Sequence, residues 1–269
     1  MGTEKDIVLA FDAYGTLLST ESIAKKLAEH FGQEKAQTIA ATWRKYQLEY
    51  TWRLNSMSAL KQLIRIVYLN KAKYPQDQYE PFSIMTMRSL RHALKESGVS
   101  LDQAKIDGLM KAYDSLSTFP DVNPALEKLA QTPGITAVVF SNGTHAMVSQ
   151  SVNHSPDLSP HAQVFKQIVV IEEVRKFKPA PEVYEYLAKK VGKSRTEMGD
   201  IWLVSGNPFD VVGAKAMGMK AAWVDRAGSG WADQLVEGDQ GRPTVIVRGL
   251  DEVIDAVNGY TEAGKVVTK

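Results

Sequence analysis

Short apolar, β-branched runs recur along the chain, separated by stretches with helical spacing. Ile7 to Phe11 (IVLAF) is the first. Ile135 to Phe140 (ITAVVF), Ile168 to Ile171 (IVVI), Ile201 to Val204 (IWLV), Ala221 to Val224 (AAWV) and Thr244 to Val247 (TVIV) follow. Runs this short and this uniformly apolar predict strands buried on both faces of a parallel sheet. Helix-like segments lie between them, such as Glu182 to Val191 and Asp210 to Met217. This alternation predicts a doubly wound α/β fold with right-handed crossovers.

One stretch breaks the alternation. From Ser19 to Thr118 no strand pattern occurs; Ala, Leu, Lys, Gln and Met dominate, and apolar residues fall at helical intervals, as at Ile23, Leu27 and Phe31. So long a helical stretch between the first and second strands is too large for a simple crossover. It reads as an inserted helical subdomain, residues 19–118, with the core made of residues 1–18 and 119–269. The expected hinges lie near Leu18-Ser19 and Phe119-Pro120. The segment Lys71 to Pro81, with two prolines and several charges, reads as a loop inside the insert.

Composition narrows the function. At 269 residues, 44% hydrophobic and 23% charged, the chain suits one α/β core with a smaller second unit. A formal net charge of +1 gives no broad basic field, so no nucleic-acid partner is expected. There are no cysteines, which rules out disulfides, thiolate metal sites and cysteine nucleophiles. The five histidines show no metal-ligand spacing, His145 included. The apolar run Ile7–Phe11 is too short for a leader or a membrane span, so a cytoplasmic location and no membrane partner are expected.

In a doubly wound sheet, ligands bind beyond the carboxyl ends of the strands. Four polar clusters fall at such ends: Asp12-Ala13-Tyr14-Gly15-Thr16, Ser141-Asn142-Gly143-Thr144, Lys178-Pro179 with Tyr184 six residues on, and Ser205-Gly206-Asn207-Pro208-Phe209-Asp210. Each residue has a plain structural alternative. Asp12 could cap a helix or turn. Lys178 and Asp210 could form a structural ion pair, and Ser141-Asn142-Gly143 could be turn chemistry. Tyr184 and Asn207 could pack or cap. Four such clusters at four strand ends carry more weight than any one of them.

These motifs resemble the haloacid dehalogenase superfamily and, within it, the L-2-haloacid dehalogenases. The matching elements are FDAYGTL at 11–17, SNGT at 141–144, KPAPEVY at 178–184 and SGNPFDVVGA at 205–214, with WRKYQLEYTW at 43–52 inside the insert. The resemblance implies a Rossmann-like core under a helical cap. It departs from the family in two places. The stretch between Trp52 and Gly98 is roughly twenty residues longer than usual, and Phe209 stands where a tryptophan is common.

The residues themselves favour the dehalogenase branch. Asp12 at a strand end is a carboxylate nucleophile able to form an ester that water later cleaves. The superfamily's phosphatases carry a general acid two residues after the nucleophile; here that residue is Tyr14. An alkoxide leaving group needs a proton, whereas halide leaves as a stable anion. Mg²⁺ needs several hard oxygen ligands, yet Ser205 and Asn207 are neutral and Asp210 is the fourth motif's only acid. No metal and no cofactor are therefore expected.

By the resemblance, Arg44 and Asn142 cradle the departing halide, while Thr16 and Ser141 hold the substrate carboxylate or orient Asp12. Lys178, held by Tyr184, Ser205 and Asn207, keeps Asp12 ionised, and Asp210 with Lys178 positions the hydrolytic water. Tyr14, Leu48, Phe82 and Phe209 form a dry wall around the carbon–halogen bond. Arg44 as a solvated helix residue, and Leu48 and Phe82 as ordinary insert core, are the plain alternatives. Trp43, Tyr50 and Trp52 read as helix-packing aromatics. The expected reaction converts short (S)-2-haloalkanoic acids to (R)-2-hydroxy acids, with the haloacid and water as the only small partners and a homodimer formed through the insert. The rival expectations are a phosphatase on the same scaffold, a related hydrolase with a non-halogenated natural substrate, and a non-catalytic binding member.

Overall fold

A computed structural model describes residues 7–67 and 79–267. Six strands, β1 (Ile7–Phe11), β2 (Ile135–Ser141), β3 (Phe165–Val170), β4 (Ile201–Ser205), β5 (Lys220–Val224) and β6 (Val245–Val247), form one parallel sheet in the order β3-β2-β1-β4-β5-β6. The central strands are buried along their length, as their uniformly apolar runs require: Leu9, Val138, Val139, Leu203 and Val204 have no exposed surface.

The third strand begins earlier than its apolar run predicts and stops one residue short of Ile171, which opens a 3-10 turn. The reason is its place at the sheet edge. An edge strand need not be apolar on both faces, so Lys166 and Gln167 belong to it although they break the hydrophobic pattern.

The helices are α1 (Ala24–Phe31), α2 (Gln33–Val67), α3 (Phe82–Glu96), α4 (Gln103–Tyr113), α5 (Val122–Ala130), α6 (His145–His154), α7 (Pro181–Lys190), α8 (Pro208–Ala216) and α9 (Val253–Val267). Helices α7 and α8 start one and two residues before the runs that announce them, each with proline in its first turn, where the missing N–H costs nothing. Among the described residues, no helix is long and apolar enough to cross a membrane.

Helices α1 to α4 lie between β1 and β2, where no strand pattern occurs. The long helix α2 packs against α1 and α3. Its buried face, Ala36, Ile39, Ala40, Trp43, Gln47 and Thr51, follows the helical period but turns polar in its middle. The chain leaves and re-enters the sheet side by side: Leu18 pairs antiparallel with Thr118, and the Ser19 N–H donates to the Ser117 carbonyl at 2.8 Å. Of the loop expected over 71–81, residues up to 78 lie outside the described residues; Tyr79 to Pro81 enter α3 in irregular backbone.

Strand order reverses at β1, whose neighbours β2 and β4 lead to opposite halves of the sheet. The crevice at this switch point opens beyond the carboxyl ends of β1, β2 and β4. Asp12, the segment from Ser141 and the segment from Ser205 all project there.

Candidate active site

Asp12 follows β1 directly, and its backbone N–H is held by the Val204 carbonyl of β4 at 3.0 Å. Gly15, three residues on, adopts φ +89°, a left-handed turn conformation that glycine takes without a Cβ penalty. The turn brings Thr16 back over the carboxylate. Thr16 Oγ1 donates to Asp12 Oδ2 at 2.9 Å and accepts from the Gly206 N–H at 2.9 Å, so one hydroxyl joins the loops after β1 and β4. Asn207 Nδ2 donates to the same Oδ2 at 2.8 Å.

The other oxygen of Asp12 meets Lys178. The lysine Nζ donates to Asp12 Oδ1 at 3.0 Å, to Asp210 Oδ2 at 2.7 Å and to the Phe140 carbonyl at 2.8 Å. All three ammonium hydrogens are thereby used. The lysine side chain is 1% exposed and that of Asp210 0%. A buried ammonium is costly unless paired; burial works against the charged Lys178, but the Asp12 and Asp210 carboxylates outweigh it and leave the lysine pKa raised. Burial likewise pushes the Asp210 carboxyl up, against the pull of Lys178 and of the Tyr184 hydroxyl, which donates to Asp210 Oδ1 at 2.7 Å.

This geometry corrects the expected support of Lys178. Tyr184, Ser205 and Asn207 do not touch its amine; two carboxylates and a carbonyl do, and they take all three of its hydrogens. Tyr184 instead holds Asp210, Asn207 holds Asp12, and Ser205 Oγ accepts the Asn207 backbone N–H at 3.1 Å. Ser141 Oγ accepts the Gly143 N–H at 3.0 Å in the matching turn after β2. Asn142 Oδ1 accepts the Lys178 backbone N–H at 2.9 Å, fixing the lysine's main chain.

The insert covers this centre. Arg44 of α2 sends Nη2 to the Tyr14 carbonyl at 3.0 Å and to Asn207 Oδ1 at 3.2 Å. It is half-buried at the junction of insert and core, which the solvated-helix alternative does not describe. Leu48 lies one turn further on the same face, half-buried. Phe82 is buried and stacks on Tyr14, ring centroids 5.5 Å apart. Phe209, half-buried, meets the Trp52 ring edge-on at 5.3 Å. Trp43 and Tyr50 pack inside the insert, as their spacing suggests. The Tyr14 hydroxyl is buried without a hydrogen-bond partner, and burial pushes its pKa well up. It is a neutral phenol two residues after Asp12.

Two residues that support the site from behind escaped the sequence reading. Gln47 bonds Arg44 Nη1 at 2.8 Å. Asn55 pairs with both the N–H and the carbonyl of Phe177, at 2.9 and 2.6 Å, so the insert grips the residue before Lys178. Gln47 left a usable signal, a polar residue one turn from Trp43 on the apolar stripe of α2. Asn55 left none, since its partner lies 122 positions away.

A divalent cation between Asp12 and Asp210 would need several oxygens converging on it. Both carboxylates converge on the Lys178 ammonium instead, and Asn207 turns its nitrogen, not its oxygen, toward Asp12. Among the described residues no group of three or more His, Cys, Asp or Glu side chains is arranged to hold a metal ion. The residues at this centre do not fit one.

Comparison with known proteins gives the family. The model of the haloacid dehalogenase-like hydrolases matches residues 8–218. An (S)-2-haloacid dehalogenase of Pseudomonas putida is 31% identical over 248 residues, covering 92% of this chain and 96% of the relative. One from Pseudomonas fluorescens is 30% identical, covering 90% and 92%. A crystal structure of an L-2-haloacid dehalogenase superposes with a TM-score of 0.76 at 26% identity, over 94% of this chain and 98% of the other. The chain therefore belongs to the haloacid dehalogenase-like hydrolases, in the branch of the (S)-2-haloacid dehalogenases.

Proposed function

We propose that the chain hydrolyses short (S)-2-haloalkanoic acids to (R)-2-hydroxy acids through an Asp12 ester, without a metal ion. The observation that carries this reading is the buried Lys178 ammonium between Asp12 and Asp210, with Tyr14 where a phosphatase needs its acid. An aspartate held by cationic and neutral donors is a suitable nucleophile toward a substrate bearing one negative charge. A phosphate dianion would meet two carboxylates that already share the buried Lys178 ammonium.

In the first step an Asp12 carboxylate oxygen attacks C2 from the side opposite the halogen. The new C–O bond forms as the C–X bond breaks, the halide leaves with the bonding pair, and C2 inverts. Arg44 and Asn142 receive the halide, and Tyr14, Phe82, Phe209 and Leu48 keep water from the reacting carbon. In the second step Asp210 takes a proton from water, which attacks the ester carbonyl of Asp12. Lys178, Thr16 and Asn207 stabilise charge on the carbonyl oxygen as it develops. The tetrahedral intermediate then collapses, the bond from the ester carbon to the C2 oxygen breaks, that oxygen leaves as the hydroxyl with the proton returned by Asp210, and Asp12 retains an oxygen from water. The helical cap of residues 19–118 shields both steps.

Halide release from the two 2-chloropropionate enantiomers and from fluoroacetate tests the proposal. Release from the S enantiomer by wild type and none by Asp12→Asn is expected. Single turnover in ¹⁸O water should label Asp12 before product; label found first in product would indicate direct attack by water. Activity lost to EDTA and restored by Mg²⁺ would refute the metal-free mechanism in favour of phosphatase-like chemistry.

A further inference from the structure

Gln47 lies in the segment 43–52 that marks the branch, yet the mechanism gives it no part. Its side chain has no exposed surface, and a buried amide needs its hydrogen bonds met. Oε1 accepts from Arg44 Nη1 at 2.8 Å and from the Tyr113 hydroxyl at 3.0 Å, while Nε2 donates to Thr86 Oγ1 at 2.7 Å. Thr86 gives its own hydroxyl hydrogen to the Phe82 carbonyl at 2.8 Å. Toward Gln47 it can therefore only accept, which forces the amide oxygen to face Arg44.

The same polarity continues beyond the arginine. Arg44 Nη2 donates to Asn207 Oδ1, so Asn207 presents Nδ2 to Asp12. An ordered chain of donors and acceptors runs from α3 through Gln47, Arg44 and Asn207 to the Asp12 carboxylate. Trp43 and Tyr113, with ring centroids 5.0 Å apart, wall off its inner end.

We infer that Gln47 is a positioning residue for the reaction: its buried amide oxygen aims the Arg44 guanidinium at the loops after β1 and β4 and, through it, orients the Asn207 amide on Asp12. This rests on the dehalogenase reading above. An arginine side chain has many rotamers, and a charge-assisted hydrogen bond from a packed partner removes that freedom before substrate arrives. The effect belongs to kcat, because the aimed groups act on the departing halide and on the nucleophile rather than on substrate entry.

The test is a cycle of Arg44→Ala, Gln47→Met and the double variant, read by halide release from (S)-2-chloropropionate with melting temperatures alongside. Methionine keeps the volume of glutamine and removes the acceptor. Gln47→Met should lower kcat about 10- to 100-fold, the size set by one hydrogen bond to a charged group, with KM nearly unchanged. The double variant should be no slower than Arg44→Ala, since without the guanidinium nothing remains to aim. If Gln47→Met does not fold, Thr86→Val replaces it in the cycle; it frees the amide to turn over and should give a several-fold kcat loss that vanishes in the Arg44→Ala background. A near-normal kcat in the position-47 or position-86 variant, or losses that multiply with Arg44→Ala, would overturn the inference. Active wild type with an equally active Arg44→Ala removes the role of Gln47 but leaves the dehalogenase reading standing. Wild type that releases no halide ends both.

Discussion

Replacing Lys178 by methionine is the sharpest perturbation of this fold. Methionine approximates the lysine stem but returns nothing to the three acceptors that the ammonium satisfies, Asp12 Oδ1, Asp210 Oδ2 and the Phe140 carbonyl. Two carboxylates that share one cation would then face each other with almost no solvent. Breaking a buried ion pair by removing one partner costs about 3–5 kcal/mol, and here one removal orphans two anions. For a chain of this size that corresponds to a melting-point loss of roughly 6 to 20 °C near neutral pH. The loss should depend on pH in a defined direction. The wild-type Lys178 pKa is raised, so its contribution is fully present below the ordinary lysine value and is lost only as pH rises through the folded value; it is constant between pH 5 and 8. In the variant the pull of Lys178 on Asp210 is gone, so the Asp210 pKa, already raised by burial, rises further. A raised carboxyl pKa means that the folded state binds the proton more tightly than the unfolded one. The variant should therefore gain stability as pH falls, with a slope approaching about 1.4 kcal/mol per pH unit. Chemical denaturation of both proteins from pH 8 to pH 5 measures the gap, which should narrow on acidification. A gap that stays constant, or no gap at pH 8, would refute the idea that the lysine holds this pair of carboxylates. Halide release by the variant should fall at least about 10²-fold, since a preorganised cationic donor is lost.

Three further changes test other contacts. Tyr184→Phe removes a hydrogen bond that lowers the Asp210 pKa; the acid limb of the ester-hydrolysis rate, which needs ionised Asp210, should move to higher pH, and an unmoved or lowered limb would count against Asp210 as the base. Asn55→Ala leaves the buried Phe177 backbone without its partner across the insert and should cost about 1–3 kcal/mol together with several-fold of the halide-release rate; a change in stability alone would mean that the grip on Phe177 does not reach Lys178. Gly206→Ala would put a Cβ 2.5 Å from the Gly15 carbonyl oxygen, forcing apart the two loops that Thr16 joins; a loss of about 1–3 kcal/mol by melting and slower halide release are expected, and a neutral outcome would show that these loops are not tightly coupled.

Much of this protein was legible in the residues alone. The sheet core showed itself because parallel strands buried on both faces must be continuously apolar, and the stretch from Ser19 to Thr118, with no such run and apolar residues at helical intervals, read as mainly helical. The four polar clusters were legible because switch-point chemistry sits at strand ends. Local pattern carries less information at a sheet edge: β3 is half-polar, so its first residues lie outside the apolar run that marks it. Only the tertiary structure decided who bonds to whom. That Lys178 is shared by two carboxylates, that Tyr184 serves Asp210 rather than the lysine, that Gln47 joins α2 to α3 and α4 within the insert, and that Asn55 ties the insert to the core are facts about groups far apart in the chain. Hydrophobic period is a property of neighbours and survives in the sequence. Hydrogen-bond partnership depends on the direction of a few polar atoms, which is settled only when the packed layers bring them within 3 Å of one another.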